Sequence, residues 1–189
     1  MKKIVAITLA LLVLAGCSSE TYTSGLGMVN SIGSSKSATE EAAGLAQADV
    51  TAASVMLDSK GTIVGISFDV VQTKVNFDAT GTITTDLATE FKTKKELKED
   101  YNMKPASAIG KEWYEQIDAL EQYAMGKAAS DFVATPTKAR DENHTSVPDV
   151  EDLASSCTMD IGDFLAAAEK AVANRSEERR VGKECRSRW

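Results

Sequence analysis

The chain has 189 residues, of which 43% are hydrophobic and 26% are charged, and its 28 acidic and 21 basic residues give a net charge of −7. This length suits one domain with a modest core, and the acidic balance argues against a nucleic-acid ligand, whose phosphates would repel the chain. Three cysteines without a CxxC pair, together with a single histidine, exclude the common Cys/His metal sites.

The first residues carry a secretion signal. Residues 1–16 read MKKIVAITLALLVLAG, a basic start and an apolar run that is too short for a comfortable membrane span. The stretch Leu14-Ala15-Gly16-Cys17 resembles the bacterial lipobox, whose cysteine thiol receives a diacylglycerol. This resemblance implies lipid attachment at Cys17, with the protein held on the extracytoplasmic face of the cell membrane; the alternative is a plain secretory signal. We therefore expect residues 17–34 to form a tether.

Strand patterns come next. Residues 25–33 (GLGMVNSIG) predict a short strand or a loop, and residues 49–75 contain two strand-like runs around Asp58-Ser59-Lys60-Gly61. The glycine permits the positive φ that a hairpin turn needs. The segment FDATGTI at residues 77–83 repeats LDSKGTI and predicts a second turn of the same type. Alternation in the second run predicts a half-buried strand. Its expected inward residues are Val64, Ile66, Phe68 and Val70.

Helical patterns occupy the second half of the chain. Residues 89–100 predict a charged helix, which Pro105 separates from the next one. Residues 109–127 give the strongest helical pattern, with Gly126 as its stop. Its apolar stripe consists of Trp113, Ile117, Leu120 and Ala124. Residues 132–150 read as a loop that contains His144, and residues 152–174 predict a short extended piece and a terminal helix.

The last residues differ from the rest of the chain. Residues 175–189 are basic and lack periodicity, and they resemble the translation of a common sequencing adapter, so we treat them as an artefact. The alternative is a basic tail for anionic partners. Without the two lysines of the signal and the six basic and three acidic residues of the tail, 13 basic and 25 acidic residues remain, a net charge of about −12. The folded domain is then expected at residues 35–174.

The order of these elements predicts an α+β fold. A hairpin is followed by helices and a loop, which indicates an antiparallel sheet with helices packed to one side, after an N-terminal lipoprotein signal.

The layout resembles the FMN-binding domain of redox-complex subunits and of surface flavoproteins. The resemblance rests on the D-x-x-G-x-I hairpin turn, on the helix that carries Trp113 and Gln116, and on the stretch DLASSCTMD at residues 152–160. Members of this family carry a motif close to D-x-x-S-G-A-T-x-S/T, whose threonine is joined to the FMN phosphate by a flavin transferase. Asp152, Ser155 and Thr158 match the motif, and Ser156, Cys157 and Asp160 depart from it.

The resemblance implies FMN, bound covalently at Thr158 or without a covalent link. It implies Asp152, Ser155, Thr158 and Trp113 as cofactor-binding residues. A flavin transferase and a redox partner would then act on the protein. Trp113 also fits the core, since it lies on the periodic apolar stripe.

Two functions follow from these observations. In one, the protein is a membrane-anchored electron carrier on the extracytoplasmic face. In the other, it is a non-redox surface lipoprotein that keeps the fold and binds another ligand or partner. No catalytic set of side chains stands out, so we expect a carrier or binding protein rather than a catalyst.

Overall fold

The computed structural model describes residues 21–176, and its centre is a three-stranded antiparallel sheet. The strands are β1 (Thr23–Ser31), β2 (Gly44–Leu57) and β3 (Ile63–Phe77), in the order β1-β2-β3. The predicted α+β class and the predicted hairpin are confirmed. Because the signal, Cys17 and residues 177–189 lie outside the described residues, the predictions on them are not addressed by this structure.

Both predicted turns use the same chemistry. In the first, Asp58 Oδ1 accepts hydrogen bonds from the backbone N–H groups of Lys60 and Thr62, both at 2.8 Å, and Gly61 has φ +81°. In the second, Asp78 Oδ1 accepts from the N–H groups of Thr80 and Thr82, and Gly81 has φ +85°. The aspartate fixes the loop and the glycine takes the left-handed conformation, so the repeated pattern encodes a repeated turn.

A β-bulge corrects the predicted alternation in β3. Leu57 pairs with Ile63 and Met56 pairs with Gly65, so Val64 is the extra residue. Ile63 is therefore buried and Val64 is 36% exposed, although alternation alone predicted Val64 to point inward. Phe68 and Val70 are buried as predicted, and Ile66 is half-buried.

Strand β1 corrects the predicted tether. Residues 23–31 pair with residues 49–57 of β2 and belong to the sheet. The strand alternative predicted for residues 25–33 is therefore present, and the tether predicted over residues 17–34 does not extend through residues 23–31. Its glycines permit a close approach to the last helix, α5 (Gly162–Ala173). A Cβ atom on Gly25 would overlap the carbonyl oxygen of Ala171, and one on Gly27 would overlap that of Ala167.

The helices begin and end at local signals. Helix α1 (Lys94–Leu97) is shorter than the predicted helix over residues 89–100, because a Thr93–Glu96 capping box fixes its start and Lys98 has φ 49°. Helix α2 (Trp113–Ala124) ends just before Gly126, which has φ +78° as predicted. The remaining short elements are two 3₁₀ turns (Lys98–Tyr101 and Lys104–Ala106), α3 (Ala129–Val133), β4 (Thr137–Lys138), β5 (Val147–Pro148) and α4 (Glu151–Ala154).

Two predictions for the C-terminal half need correction. The predicted loop over residues 132–150 contains a small hairpin, in which Thr137 pairs with Pro148 and Lys138 pairs with Val147. The predicted extended piece after residue 152 is instead the end of α4 and a turn. Both differences involve segments of only two to four residues, which are too short to show a periodic pattern.

The core lies between one face of the sheet and the helices. We call this the inner face; it carries Ala53, Val55, Phe68 and Val70, all nearly inaccessible to solvent. The Phe68 ring lies 6.2 Å from Phe132 of α3 and 5.5 Å from Phe164 of α5, centroid to centroid. The predicted packing of helices to one side of the sheet is confirmed. The opposite, outer face carries exposed apolar side chains such as Leu26 and Met28.

Candidate functional site

A cleft of about 760 Å³ opens at one end of the inner face. It lies between the strands β2 and β3, the 3₁₀ turns, the loop after β4 and the start of α5. Its volume is within the range of small-molecule sites. Its lining includes Asp49, Lys94, Tyr101, Trp113, Arg140, His144, Thr158, Asp160, Asp163 and Phe164.

One wall of the cleft is aromatic. Trp113, at the start of α2, is 3% exposed, and its ring lies 6.4 Å from Tyr101 and 6.1 Å from Phe164, centroid to centroid. The ammonium of Lys94 lies 4.7 Å from the Tyr101 ring centroid and 5.5 Å from that of Trp113. Trp113 therefore packs into the core and also borders the cleft, and the lysine adds a cation at the aromatic wall.

Thr158 borders the same cleft and is half-buried. Its backbone N–H donates to Gln116 Oε1 at 3.0 Å, and its hydroxyl lies 3.4 Å from the same oxygen. Gln116 is fully buried in α2, and its amide nitrogen donates to the hydroxyl of Ser107 at 3.1 Å. The glutamine thus fixes the backbone at Thr158, while its contact with the hydroxyl is long and weak.

A second cation at the cleft was not predicted. Arg140 Nη1 donates to the carbonyl oxygen of Thr158 at 2.8 Å, and Arg140 Nε lies 3.1 Å from Asp141 Oδ2. No local pattern in the sequence predicts this contact, because Arg140 and Thr158 lie 18 positions apart along the chain. The arginine links the loop after β4 to the segment that carries the threonine.

His144 also borders the cleft, although the sequence predicted only a polar loop around it. Its Nδ1 lies 2.6 Å from Asp141 Oδ1, and its backbone carbonyl accepts from the N–H of Arg140 at 2.8 Å. The hydrogen bond from His144 lowers the pKa of Asp141 to about 2. A carboxylate that stays ionised in this way holds both the imidazole and the guanidinium at the cleft.

Asp160 has a structural task in the fold. Its Oδ2 accepts from the N–H of Ser146 and its Oδ1 from the N–H of Gly162, both at 2.9 Å. These bonds join the loop between β4 and β5 to the first turn of α5 and satisfy a donor at the helix start. Asp160, which stands where the family motif has Ser or Thr, thus stabilises the segment next to Thr158.

The two other motif residues lie elsewhere. Asp152 is exposed in the first turn of α4, and Ser155 is exposed just after that helix. Neither borders the cleft, so the structure brings together Thr158 and Trp113 but not Asp152 and Ser155. Cys157, between Ser155 and Thr158 in the chain, is fully buried, and burial raises the pKa of its thiol to about 11.

In residues 21–176, which the structure describes, no helix is both long enough and apolar enough to cross a bilayer. Within the same range, no group of three or more His, Cys, Asp or Glu side chains has a geometry that could hold a metal ion.

Comparison with known proteins gave one match. Residues 1–18 match the model of the prokaryotic membrane lipoprotein lipid attachment site. No curated protein and no solved structure matches the chain. The matched range contains Cys17, the residue predicted to carry the lipid, and the prediction of a lipoprotein signal is confirmed. The chain is therefore a membrane-anchored lipoprotein of the prokaryotic type.

Proposed function

We propose that this lipoprotein lies on the extracytoplasmic face of the membrane, binds FMN in the cleft and carries electrons. The observation that supports the proposal is the grouping of Thr158, an aromatic wall and two cations around one cleft. An FMN ligand has a flat aromatic ring system at one end and a phosphate at the other, and the cleft offers groups suited to both.

The residues present fit this ligand in three respects. Trp113 and Tyr101 offer an aromatic border, which suits a planar ring system. Arg140, whose Nη1 donates to the carbonyl oxygen of Thr158, would offset the charge of a phosphate at that residue. The hydroxyl of Thr158 makes only a long contact with Gln116. Little free energy is therefore lost when this hydroxyl leaves Gln116 to react in a transferase. When bound, the flavin supplies the redox chemistry, and the chain binds and orients it.

One observation favours the alternative of a non-redox ligand-binding lipoprotein. Asp49, Asp160 and Asp163 border the same cleft as the two cations. Carboxylates near a phosphate would oppose its binding, and they would instead suit a ligand that has a positive group. In this alternative the aromatic wall and the cleft keep their binding role, and Thr158 stays unmodified.

Flavin attachment can be tested directly. The full-length protein is produced in a bacterial host together with a flavin transferase and run on a denaturing gel, and flavin fluorescence is recorded in the gel. We expect a fluorescent band that Thr158→Ala abolishes, because the phosphoester needs the threonine oxygen. Flavin released from the native protein on denaturation is measured in parallel and reports non-covalent binding.

Ser155→Ala is the matched control. It also removes one hydroxyl from the motif, but Ser155 is exposed and lies away from the cleft. We expect this variant to keep the fluorescent band. Equal loss in both variants would contradict the assignment of the acceptor to Thr158 alone. A dark band together with no released flavin would reject FMN binding and favour the alternative.

A further inference from the structure

The outer face of the sheet carries a contiguous apolar patch. We define the apolar patch as Leu26, Met28, Met56 and Val64, which are 55%, 49%, 45% and 36% exposed. In the register of the sheet, Leu26 pairs with Ser54 and Met28 with Ala52, while Met56 pairs with both Ser24 and Gly65. Small partners leave the long side chains prominent. Leu26 and Met56 are diagonal neighbours on β1 and β2, Met28 lies two residues along β1, and Val64 precedes the Gly65 that pairs with Met56. Diagonal neighbours lie about 7–8 Å apart, within reach of long side chains, so the four side chains form one surface.

The outer face is also almost uncharged. Among the described strand residues that point to this face, Asp69 is the only charged side chain, and its Oδ1 accepts from the backbone N–H groups of Lys95 and Val70. In the whole chain, by contrast, 26% of the residues are charged. An apolar sheet face with so little charge is typical of a surface that contacts something other than water.

The lipid anchor lies close to this patch along the chain. Cys17 precedes Thr23, the first residue of β1, by six positions, and a six-residue segment spans at most about 20 Å. Thr23 pairs with Leu57, and Ser24 pairs with Met56. The chain that leads from the anchor therefore joins the sheet at the end where the apolar patch lies.

The border of the patch carries lysines. Lys170 Nζ donates to the carbonyl oxygen of Met28 at 2.9 Å, on the edge strand β1. Lys60 lies in the hairpin turn beyond Met56, and the Asp58 carboxylate beside it is occupied by backbone N–H groups. Lysines around an apolar patch match the anionic headgroups of a bacterial membrane, although the body of the protein is acidic.

We propose that the apolar patch lies on the surface of the phospholipid bilayer that holds the lipid anchor. The occupant is the headgroup and upper acyl region of that bilayer, which the six-residue connection brings within reach of the patch. Because the cleft borders the inner face, it lies on the side of the sheet opposite the apolar patch, where soluble partners can reach it. The inference rests on the lipid anchor and is independent of which ligand the cleft binds.

The test measures contact with lipid at single positions. The full mature lipoprotein carrying Cys185→Ser and Met56→Cys is labelled with an environment-sensitive fluorophore and reconstituted into vesicles of phosphatidylethanolamine and phosphatidylglycerol. Cys157 is fully buried and is not labelled in the native protein. The matched control is Leu87→Cys in the same background, since Leu87 is 85% exposed in the segment between β3 and α1. Quenching is recorded with nitroxide-labelled lipid and with aqueous iodide.

We expect the label at position 56 to be quenched by lipid nitroxide on the order of threefold more than the label at position 87, since interfacial side chains reach about 5–10 Å into the membrane boundary. Iodide should show the opposite order. Equal quenching at both positions would overturn the proposal. Protection from iodide without lipid quenching, together with cross-links between two copies through position 56, would also overturn it and assign the patch to a second copy of the chain.

A second substitution separates the patch from the anchor. Met28→Asp is added to the protein labelled at position 56, and circular dichroism confirms that it is folded. We expect lipid quenching to fall toward the level at position 87 while the protein stays in the vesicle fraction, because the charge opposes contact and the anchor is intact. Unchanged lipid quenching would show that the anchor alone brings position 56 near the bilayer, and this would overturn the role of the patch.

Discussion

The inner and outer faces of the sheet differ in their side chains and in their neighbours. On the inner face, Phe68 contacts the aromatic rings of α3 and α5, and the glycines of β1 allow α5 to approach the backbone. On the outer face, Met56 is 45% exposed and pairs with Gly65. The same strands thus stabilise the fold with one face and keep the other face available for contact. Substitutions on the two faces should therefore have different effects on the free energy of unfolding.

The largest expected difference between the faces concerns Phe68. Phe68→Ala should lower the free energy of unfolding by about 3–5 kcal/mol, because a fully buried aromatic ring is replaced by a cavity. Met56→Ala should change it by no more than about 0.5 kcal/mol, because the side chain is half exposed. Urea denaturation of both variants measures the difference. Similar losses in the two variants would contradict the assignment of the core to the inner face.

A smaller difference is expected for two glycines. Gly27→Ala should cost about 1–3 kcal/mol of unfolding free energy, because the added Cβ would overlap the carbonyl oxygen of Ala167 in α5. Gly65→Ala on the outer face is the matched control, since its Cβ would meet only the Cβ of Met56 at 3.5 Å, an ordinary contact. Thermal unfolding of both variants provides the measurement. A stable Gly27→Ala variant would show that α5 does not pack tightly on β1.

The smallest expected effect lies at the border of the cleft, on an exposed pair. The pKa of Asp141 is lowered to about 2 by the hydrogen bond from His144. A lowered folded-state pKa contributes stability above the unfolded value of about 3.9, and this contribution is lost as the pH falls toward 2. NMR titration of the carboxyl carbon should give a midpoint near 2 in the native protein.

His144→Ala should raise the titration midpoint of Asp141, because the hydrogen bond that lowers its pKa most is then absent. Glu142→Gln, a neighbouring exposed position, is the control and should leave the midpoint of Asp141 unchanged. An unchanged midpoint in His144→Ala would contradict the pairing of Asp141 with His144. Either result concerns the hydrogen bonds at the border of the cleft and leaves the assignment of the two sheet faces unchanged.

The sequence predicted correctly most of the features whose signal lies within a few neighbouring residues. The two Asp-x-x-Gly turns, the apolar stripe of α2 and the stop at Gly126 depend on residues only a few positions apart. The tether prediction was wrong for residues 23–31, because GLGMVNS has few side chains that show alternation. The glycines there serve the contact with α5, and nothing in their own segment reveals that helix.

The candidate site shows the same limit. The family resemblance selected Thr158 and Trp113, and both border the cleft, but it placed Asp152 and Ser155 with them although both point to solvent. Arg140, Lys94 and His144 were not predicted as site residues, since no pattern in their segments relates them to Thr158. FMN binding itself stays a prediction.

The sequence by itself determined the lipoprotein signal with Cys17, the hairpin, the strongest helix and the α+β class, because each depends on short-range pattern and composition. Only the tertiary structure decided which face of the sheet is covered and which side chains share a cleft. The bulge at Val64 and the meeting of Arg140 with Thr158 depend on how distant segments pack. Such packing is selected by the free energy of the whole fold, which no single segment encodes.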